Sequence, residues 1–202
     1  MLHRLGTVES TQEAAAGLPL GSVVVADHQA SGRGRHGRVW DAPPNCALLA
    51  TFVLAPSPAI VFAAGVAAAE ACGRGVRLKW PNDLILDERK LGGILAEIRQ
   101  GRALVGIGIN LSWAPEGAAM LGEDRELLLE RLLPLVREWA AADTSAVLER
   151  WRALSCTLGQ EVRVELGGEV IQGKADGIDD DGALLVGGRR VIAGDVTRVR
   201  PC

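Results

Sequence analysis

The sequence contains few lysines, few and scattered cysteines, and no long hydrophobic run. Its 202 residues include four cysteines, and their wide spacing indicates neither a zinc motif nor a disulfide framework. The longest apolar run, residues 59–69, is too short to span a bilayer. No apolar segment follows a positively charged N-terminus, so no secretory signal is predicted. These absences predict a cytoplasmic protein with reduced thiols and no membrane anchor.

Positive charge is also scarce. The formal net charge is −3, whereas a protein whose main task is to bind nucleic acid usually has an excess of basic residues. The basic residues are nineteen arginines and only three lysines. Two of those lysines, Lys79 and Lys90, lie close together in the chain. A lysine retained where arginine is the usual cation indicates a role that arginine cannot fill.

A loop rich in glycine and arginine follows the β-branched segment at residues 23–25, which predicts a buried strand. Residues 32–38 contain three glycines and three arginines. Glycine allows close approach of the backbone to a ligand, and arginine suits phosphate or carboxylate. The same run could be a solvated loop or a nucleic-acid-binding segment, although Trp40 is the only aromatic residue near it. Because little of the loop can be buried and its arginines repel one another, we expect a ligand to order it.

Four other segments carry candidate site residues. Ser10 or Thr11 can cap a short helix, with Glu13 reaching back as in a capping box. Lys79 ends an alternating strand before a turn at residues 81–83. Lys90 enters a strand whose glycines leave room for a ligand. The alternation at residues 106–109 places its glycines on one face of a strand, which favours either a flat ligand-binding wall or close strand packing.

Together these segments resemble the signature motifs of biotin protein ligases. Residues 32–40, GRGRHGRVW, match the pattern GRGRxGRxW of that family. KWPND at 79–83, RKLGGIL at 89–95 and GIGINL at 106–111 match its next three motifs in order. STQ at 10–12 lies where the family has Ser-Thr-Asn, so Gln12 is a departure that keeps the amide and adds a methylene. The resemblance extends over nearly the whole chain.

This resemblance implies an ATP-dependent ligase that converts biotin to biotinyl-5′-AMP, with Mg²⁺, and transfers biotin to a lysine of a biotin carboxyl carrier domain such as that of acetyl-CoA carboxylase. Lys90 and Arg35 would be catalytic. The residues expected to bind biotin are Ser10, Thr11, Gln12, Gln29, Arg33, Gly34, Arg35, Lys90, Gly93, Ile94, Gly106 and Gly108. Those expected to bind ATP or the adenylate are Arg33, Arg35, Trp40, Lys79, Asn82, Asp83, Lys90 and Asn110. Asp83 would also assist Mg²⁺.

The element pattern predicts an α+β fold, with a mixed sheet and helices over residues 1–156. By resemblance this is the class II synthetase-like catalytic domain of biotin ligases. From residue 158 short alternating segments separated by glycine turns predict a small β-barrel, and residues 157–202 resemble the SH3-like C-terminal domain of the family. The chain begins almost at the STQ segment, so we expect no winged helix and no DNA partner. The sequence leaves open whether the protein is a monomer or a homodimer.

Two alternative functions remain from the sequence. A lipoate or octanoyl transferase shares the fold, but its motifs differ from those quoted above. A non-catalytic module that binds a ligand or nucleic acid is disfavoured by the negative net charge.

Overall fold

The computed structural model describes residues 1–73, 75–166, 168–192 and 194–199. Its larger sheet has seven strands in the order β1-β2-β3-β7-β6-β5-β4. Their bounds are β1 Leu2–Val8, β2 Val23–Gln29, β3 Ala47–Leu54, β4 Arg77–Lys79, β5 Asp83–Leu86, β6 Arg89–Arg99 and β7 Arg102–Asn110. β1 is parallel to β2, and each other neighbouring pair is antiparallel. The predicted mixed sheet is confirmed.

Over the described part of the chain, four α-helices accompany this sheet. They are α1 Thr11–Ala15, α2 Ile60–Cys72, α3 Arg125–Ala141 and α4 Thr144–Leu154. Almost every side chain of α2 is buried, because α2 lies between the sheet and the pair α3 and α4. Its many alanines suit this position, since small side chains allow neighbouring elements to approach from both sides. Within the described residues, no helix is both long and apolar enough to cross a membrane.

The C-terminal strands form a second, antiparallel sheet in the order β11-β10-β9-β8-β12. They are β8 Glu161–Leu166, β9 Glu169–Ile178, β10 Leu184–Val186, β11 Arg189–Val191 and β12 Asp195–Arg198. This antiparallel sheet fits the predicted small C-terminal β domain, although over the described ranges β11 and β12 are free edges and the sheet does not close into a barrel.

The two sheets meet around Trp80. The indole Nε1 of Trp80 donates to the Gly182 carbonyl at 2.9 Å, and the Trp80 backbone N–H donates to Thr157 Oγ1 at 2.9 Å. A Cβ on Gly182 would lie 2.3 Å from the ring of Phe62, so only glycine allows this contact. The buried core therefore continues from the first sheet into the second, and the C-terminal sheet is held against the face that carries the site.

Candidate active site

A cavity of about 270 Å³ lies between α1, the β2–β3 loop, the β4–β5 turn and strands β6 and β7. It collects side chains from all five motif segments. The predicted residues that line it are Ser10, Thr11, Gln12, Gln29, Arg33, Gly34, Arg35, Trp40, Lys79, Asn82, Asp83, Lys90, Gly93, Ile94, Gly106 and Gly108. These residues are far apart in the chain, so their convergence is a property of the fold.

The glycine- and arginine-rich loop folds back on itself like a hairpin. The Trp40 N–H donates to the Gly32 carbonyl at 2.9 Å, and the Gly34 N–H donates to the Arg38 carbonyl at 2.7 Å. A Cβ on Gly32 would lie 2.2 Å from the Trp40 carbonyl oxygen, which explains the glycine. A 3₁₀ turn at Arg35–Gly37 closes the hairpin. Backbone hydrogen bonds thus hold the loop in its hairpin shape, in addition to the contacts that its side chains make.

Each arginine of the loop has a protein partner. Arg33 pairs with Glu13 of α1, and Arg38 pairs with Asp195 of β12. Arg35 Nη1 donates to Asn82 Oδ1 at 3.0 Å, and its Nη2 donates to the Gly194 carbonyl at 3.4 Å. The sequence predicted that these arginines repel one another and that a ligand orders the loop. Here acceptors from other parts of the chain satisfy them, because the fold brings these acceptors to the loop.

Arg35 is the arginine placed deepest in this arrangement. Partial burial lowers the pKa of its guanidinium, while the carboxylates of Asp195 and Asp83 oppose that shift. Asn82 fixes the orientation of Arg35, since the Asn82 Nδ2 also donates to the Ile94 carbonyl at 2.7 Å. The result is a cation held in a defined direction at the cavity wall.

The polar end of the cavity is organised by a chain of hydrogen bonds. The hydroxyl of Thr51 donates to Thr11 Oγ1 at 2.8 Å, and Thr11 Oγ1 donates to Gln29 Oε1 at 2.9 Å. The Thr11 backbone N–H donates to the same Gln29 oxygen at 2.8 Å. Gln29 Oε1 is therefore satisfied, and its amide nitrogen is left to donate. Thr51 is completely buried in β3, and the nearly continuous apolar run of that strand gave no signal for its role.

Gln12 occupies the space above Gly106. Its Nε2 donates to the Leu95 carbonyl at 2.9 Å and to the Leu104 carbonyl at 3.2 Å. A Cβ on Gly106 would lie 3.4 Å from that nitrogen, a tight contact. Gln12 Oε1 is buried and has no hydrogen-bond partner among the described residues. The Gln12 amide is thus anchored through its nitrogen, while its oxygen is a buried acceptor that the described residues leave unpaired.

Trp40 covers the next glycine along the strand. A Cβ on Gly108 would come within 2.8 Å of the Trp40 ring. The indole Nε1 of Trp40 is buried, with no acceptor found in the described part of the chain. Close packing thus accounts for both Gly106 and Gly108. Both glycines also line the cavity, so packing and a flat wall occur together here.

The two informative lysines lie at the other end of the cavity. Lys90 Nζ is 2.7 Å from Asp83 Oδ1. Lys79, the last residue of β4, lies opposite Asp83, the first residue of β5, in the antiparallel register. A Cβ on Gly93 would make only ordinary contacts, 3.6 Å from Lys90 Nζ, so space remains above that strand. No group of three or more His, Cys, Asp or Glu side chains suited to a metal occurs in the described ranges.

Asn110 is the predicted site residue that the structure places outside the described cavity wall. The Asn110 side chain is buried, and its Nδ2 donates to the Ala119 carbonyl at 2.9 Å. The backbone carbonyl of Asn110 accepts from the Leu121 N–H at 2.9 Å. Asn110 does not belong to the described cavity wall, because its amide is used to hold the segment that follows β7.

The C-terminal sheet contributes residues that the sequence did not indicate. Gly194, Asp195, Val196 and Thr197 all line the cavity. No local pattern at these positions points to a ligand, so only the packing of the two sheets reveals them. Arg38, also in the wall, belonged to a recognised motif but was not assigned a contact.

Comparison with known proteins agrees with this geometry. Residues 7–113 match the Biotin/lipoate A/B protein ligase family, and residues 157–198 match the Biotin protein ligase C terminal domain. The biotin–[acetyl-CoA-carboxylase] ligase of Mycobacterium tuberculosis is 36% identical, with 89% of this chain and 80% of that protein covered. The ligase of the same description from Paracoccus denitrificans is 34% identical over 88% of this chain and 90% of that protein.

The fold comparison leads to the same group. Biotin protein ligase from Aquifex aeolicus, solved in complex with biotin and ATP, superposes with a TM-score of 0.86 at 29% identity and covers 99% of both chains. The chain therefore belongs to the biotin protein ligase family.

Proposed function

We propose that the cavity holds biotin and ATP side by side. The chain would first link biotin to the AMP part of ATP and then transfer biotin to a protein lysine. The observation that carries this proposal is the convergence of the motif residues on one cavity with cations at one end and amide and hydroxyl groups at the other. The chain is a biotin protein ligase that uses ATP. The assignments of individual residues below are our proposals.

The amide and hydroxyl end suits the ureido ring of biotin. Gln29, with its oxygen satisfied by Thr11, would donate from Nε2 to the ureido oxygen. Gln12 Oε1, buried without a protein partner, would accept from a ureido N–H. A buried polar atom that lacks a partner costs free energy, and a ligand that supplies the partner removes that cost. Ser10, Thr11, Ile94 and the glycines of β6 and β7 would enclose the ring.

The cationic end suits the reacting groups. The carboxylate of biotin attacks the α-phosphorus of ATP, so a carboxyl–phosphate bond forms and the bond to the β-phosphate oxygen breaks, releasing pyrophosphate. Lys90 and Arg35 would stabilise the negative charge that develops on the phosphate. Held cations of this kind lower the barrier because they need no rearrangement during the reaction. Correct placement of the two substrates supplies much of the remainder.

The second reaction transfers biotin to the acceptor. The neutral ε-amine of a carrier lysine attacks the carbonyl carbon of biotinyl-5′-AMP. An amide forms, the attacking nitrogen releases one proton to solvent, and AMP leaves with the electrons of the broken anhydride bond. The names of the relatives support a biotin carboxyl carrier domain of acetyl-CoA carboxylase as this acceptor. Such a partner supports a cytoplasmic location.

Trp40, Lys79, Asn82 and Asp83 would form the nucleotide side of the site. Mg²⁺ in proteins is commonly held by one or two carboxylates together with substrate phosphates, so a full set of protein ligands is not required. Asp83, in the cavity wall beside Lys90, fits that pattern and would hold Mg²⁺ together with the phosphates. Bound there, the ion would neutralise phosphate charge. Residues 1–156 would thus form the biotin- and ATP-binding domain, with residues 157–202 as the C-terminal domain.

The decisive experiment is exchange of radiolabelled pyrophosphate into ATP. Biotin should be required, and lipoate or octanoate should not replace it. This comparison is needed because the family that matches residues 7–113 includes lipoate ligases as well. Exchange that depends on lipoate and not on biotin would contradict the proposal.

A further inference from the structure

Glu13 does not act as its position in the sequence suggests. Its place three residues after Ser10 is that of the acidic residue in a capping box. Ser10 does cap α1, since its hydroxyl accepts from the Gln12 N–H at 3.2 Å. The carboxylate of Glu13, however, pairs with two arginines from distant parts of the chain. This contact has no place in the chemistry described above.

The contacts of Glu13 form a chain of four charges. Arg99 of β6 binds Glu13 with both terminal nitrogens, Nη1 to Oε2 at 2.9 Å and Nη2 to Oε1 at 3.0 Å. Arg99 is itself fixed by Glu97, at 2.6 Å from Nη2 to Oε2. Arg33 of the loop then pairs with Glu13 Oε1. These hydrogen bonds, first from Arg99 and then from Arg33, lower the pKa of Glu13 to about 2, so it is ionised at neutral pH.

This chain connects three parts of the site. Helix α1 is only five residues long and carries Thr11 and Gln12 into the cavity. Arg33 begins the loop that covers the cavity, and Arg99 belongs to the rigid sheet. A single exposed ion pair contributes little, but a two-pronged arginine–carboxylate pair within a network is the geometry in which such contacts matter. Glu13 is therefore placed to fix the loop relative to α1.

We propose that Glu13 is a positioning residue that keeps the loop closed over biotinyl-5′-AMP until the carrier lysine arrives. The proposal rests on the proposed function, because it needs the adenylate to lie beneath the loop. Glu13 would act through Arg33 and would not touch the substrates. Loss of its charge would let the loop open more often, so the intermediate would escape into solution before transfer.

The test compares Glu13→Gln with a matched control, Glu126→Gln. Glu126 forms a two-pronged ion pair with Arg4 at 2.6 and 2.5 Å, and both glutamate side chains are 44% exposed. Each full-length protein is loaded with biotin and α-³²P-labelled ATP, and release of labelled biotinyl-5′-AMP is followed after a chase with unlabelled intermediate. Trypsin cleavage at the loop arginines is measured in the same loaded state, together with the melting temperature.

We expect Glu13→Gln to release the intermediate about fivefold faster than wild type and to be cleaved faster in the loop, as one or two network ion pairs would allow. Glu126→Gln should match wild type in both measurements. Arg99→Met should reproduce part of the Glu13→Gln effect. Equal release from Glu13→Gln and Glu126→Gln would overturn the inference even if their melting temperatures fall. Wild type that forms no biotinyl-5′-AMP would overturn the proposed function, and this inference with it.

Discussion

Replacing Thr51 by valine should weaken biotin binding while leaving the chemistry nearly intact. Thr51 lies in β3, completely buried, and its hydroxyl donates to Thr11 Oγ1 at 2.8 Å. Thr11 in turn holds the Gln29 amide in the orientation that we assign to the ureido oxygen. Valine has nearly the same shape as threonine, so the substitution removes the hydrogen bond without opening a cavity.

The size of the effect follows from the buried partner that is left behind. A buried polar group that loses its partner costs about 1–3 kcal/mol, and here the affected atom is Thr11 Oγ1. Part of this cost appears as lost stability of the fold. For a chain of this size, each kcal/mol lost lowers the melting temperature by about 2–4 °C. The rest appears in binding, because the Thr11 hydroxyl is free to turn away from Gln29. We expect the KM for biotin to rise about five- to tenfold.

The assay is pyrophosphate exchange at varied biotin and ATP concentrations. A change confined to binding raises KM and leaves kcat unchanged, so kcat and the KM for ATP should stay within about twofold of wild type. Thr51→Ser is the matched control, since it keeps the hydroxyl and should retain biotin affinity. Calorimetry that finds unchanged biotin affinity in Thr51→Val would refute the reasoning about this hydrogen-bond chain.

Three further predictions follow from the site and its charges. Lys90→Ala should slow formation of biotinyl-5′-AMP in a single turnover at least about 100-fold, the loss typical of removing one fixed charge donor, and a near-normal rate would contradict the catalytic role of Lys90. Since the folded-state pKa of Glu13 is lowered to about 2, its ion pairs should stabilise the fold above about pH 4.5 and lose this effect as the pH falls toward 2. The melting temperatures of wild type and Glu13→Gln should therefore differ at pH 7 and converge near pH 2, and a constant difference would contradict the assignment. The net charge of −3 predicts no sequence-specific DNA binding at physiological salt, and a gel shift that finds a preferred operator, with or without biotin and ATP, would contradict this.

Local sequence patterns pointed to residues that the fold then brings to one cavity. Gly34 and the three arginines of residues 32–38, Lys79 at the end of β4, Lys90 near the start of β6 and the STQ triplet all line the cavity. Such residues are recognisable because their conformation depends on residues adjacent in the sequence. A tight turn favours glycine, and a lysine at the end of a strand has a fixed backbone. The alternation that predicts strands likewise depends on nearest neighbours only, and it led to the correct mixed sheet.

Only the tertiary structure shows which hydrogen-bond and ion-pair partners some residues have, because those partners are distant in the sequence. Glu13 has the spacing of a capping residue, yet Arg99, 86 positions away, takes its carboxylate. Asn110 sits in a matching motif, yet its amide is used by the carbonyl of Ala119. Asp195 reaches the loop only because Trp80 and Gly182 pack the C-terminal sheet against the catalytic face. A sequence shows which groups can donate, accept or carry charge, but the fold decides which partner each one meets, since that depends on distances set by the whole packed core.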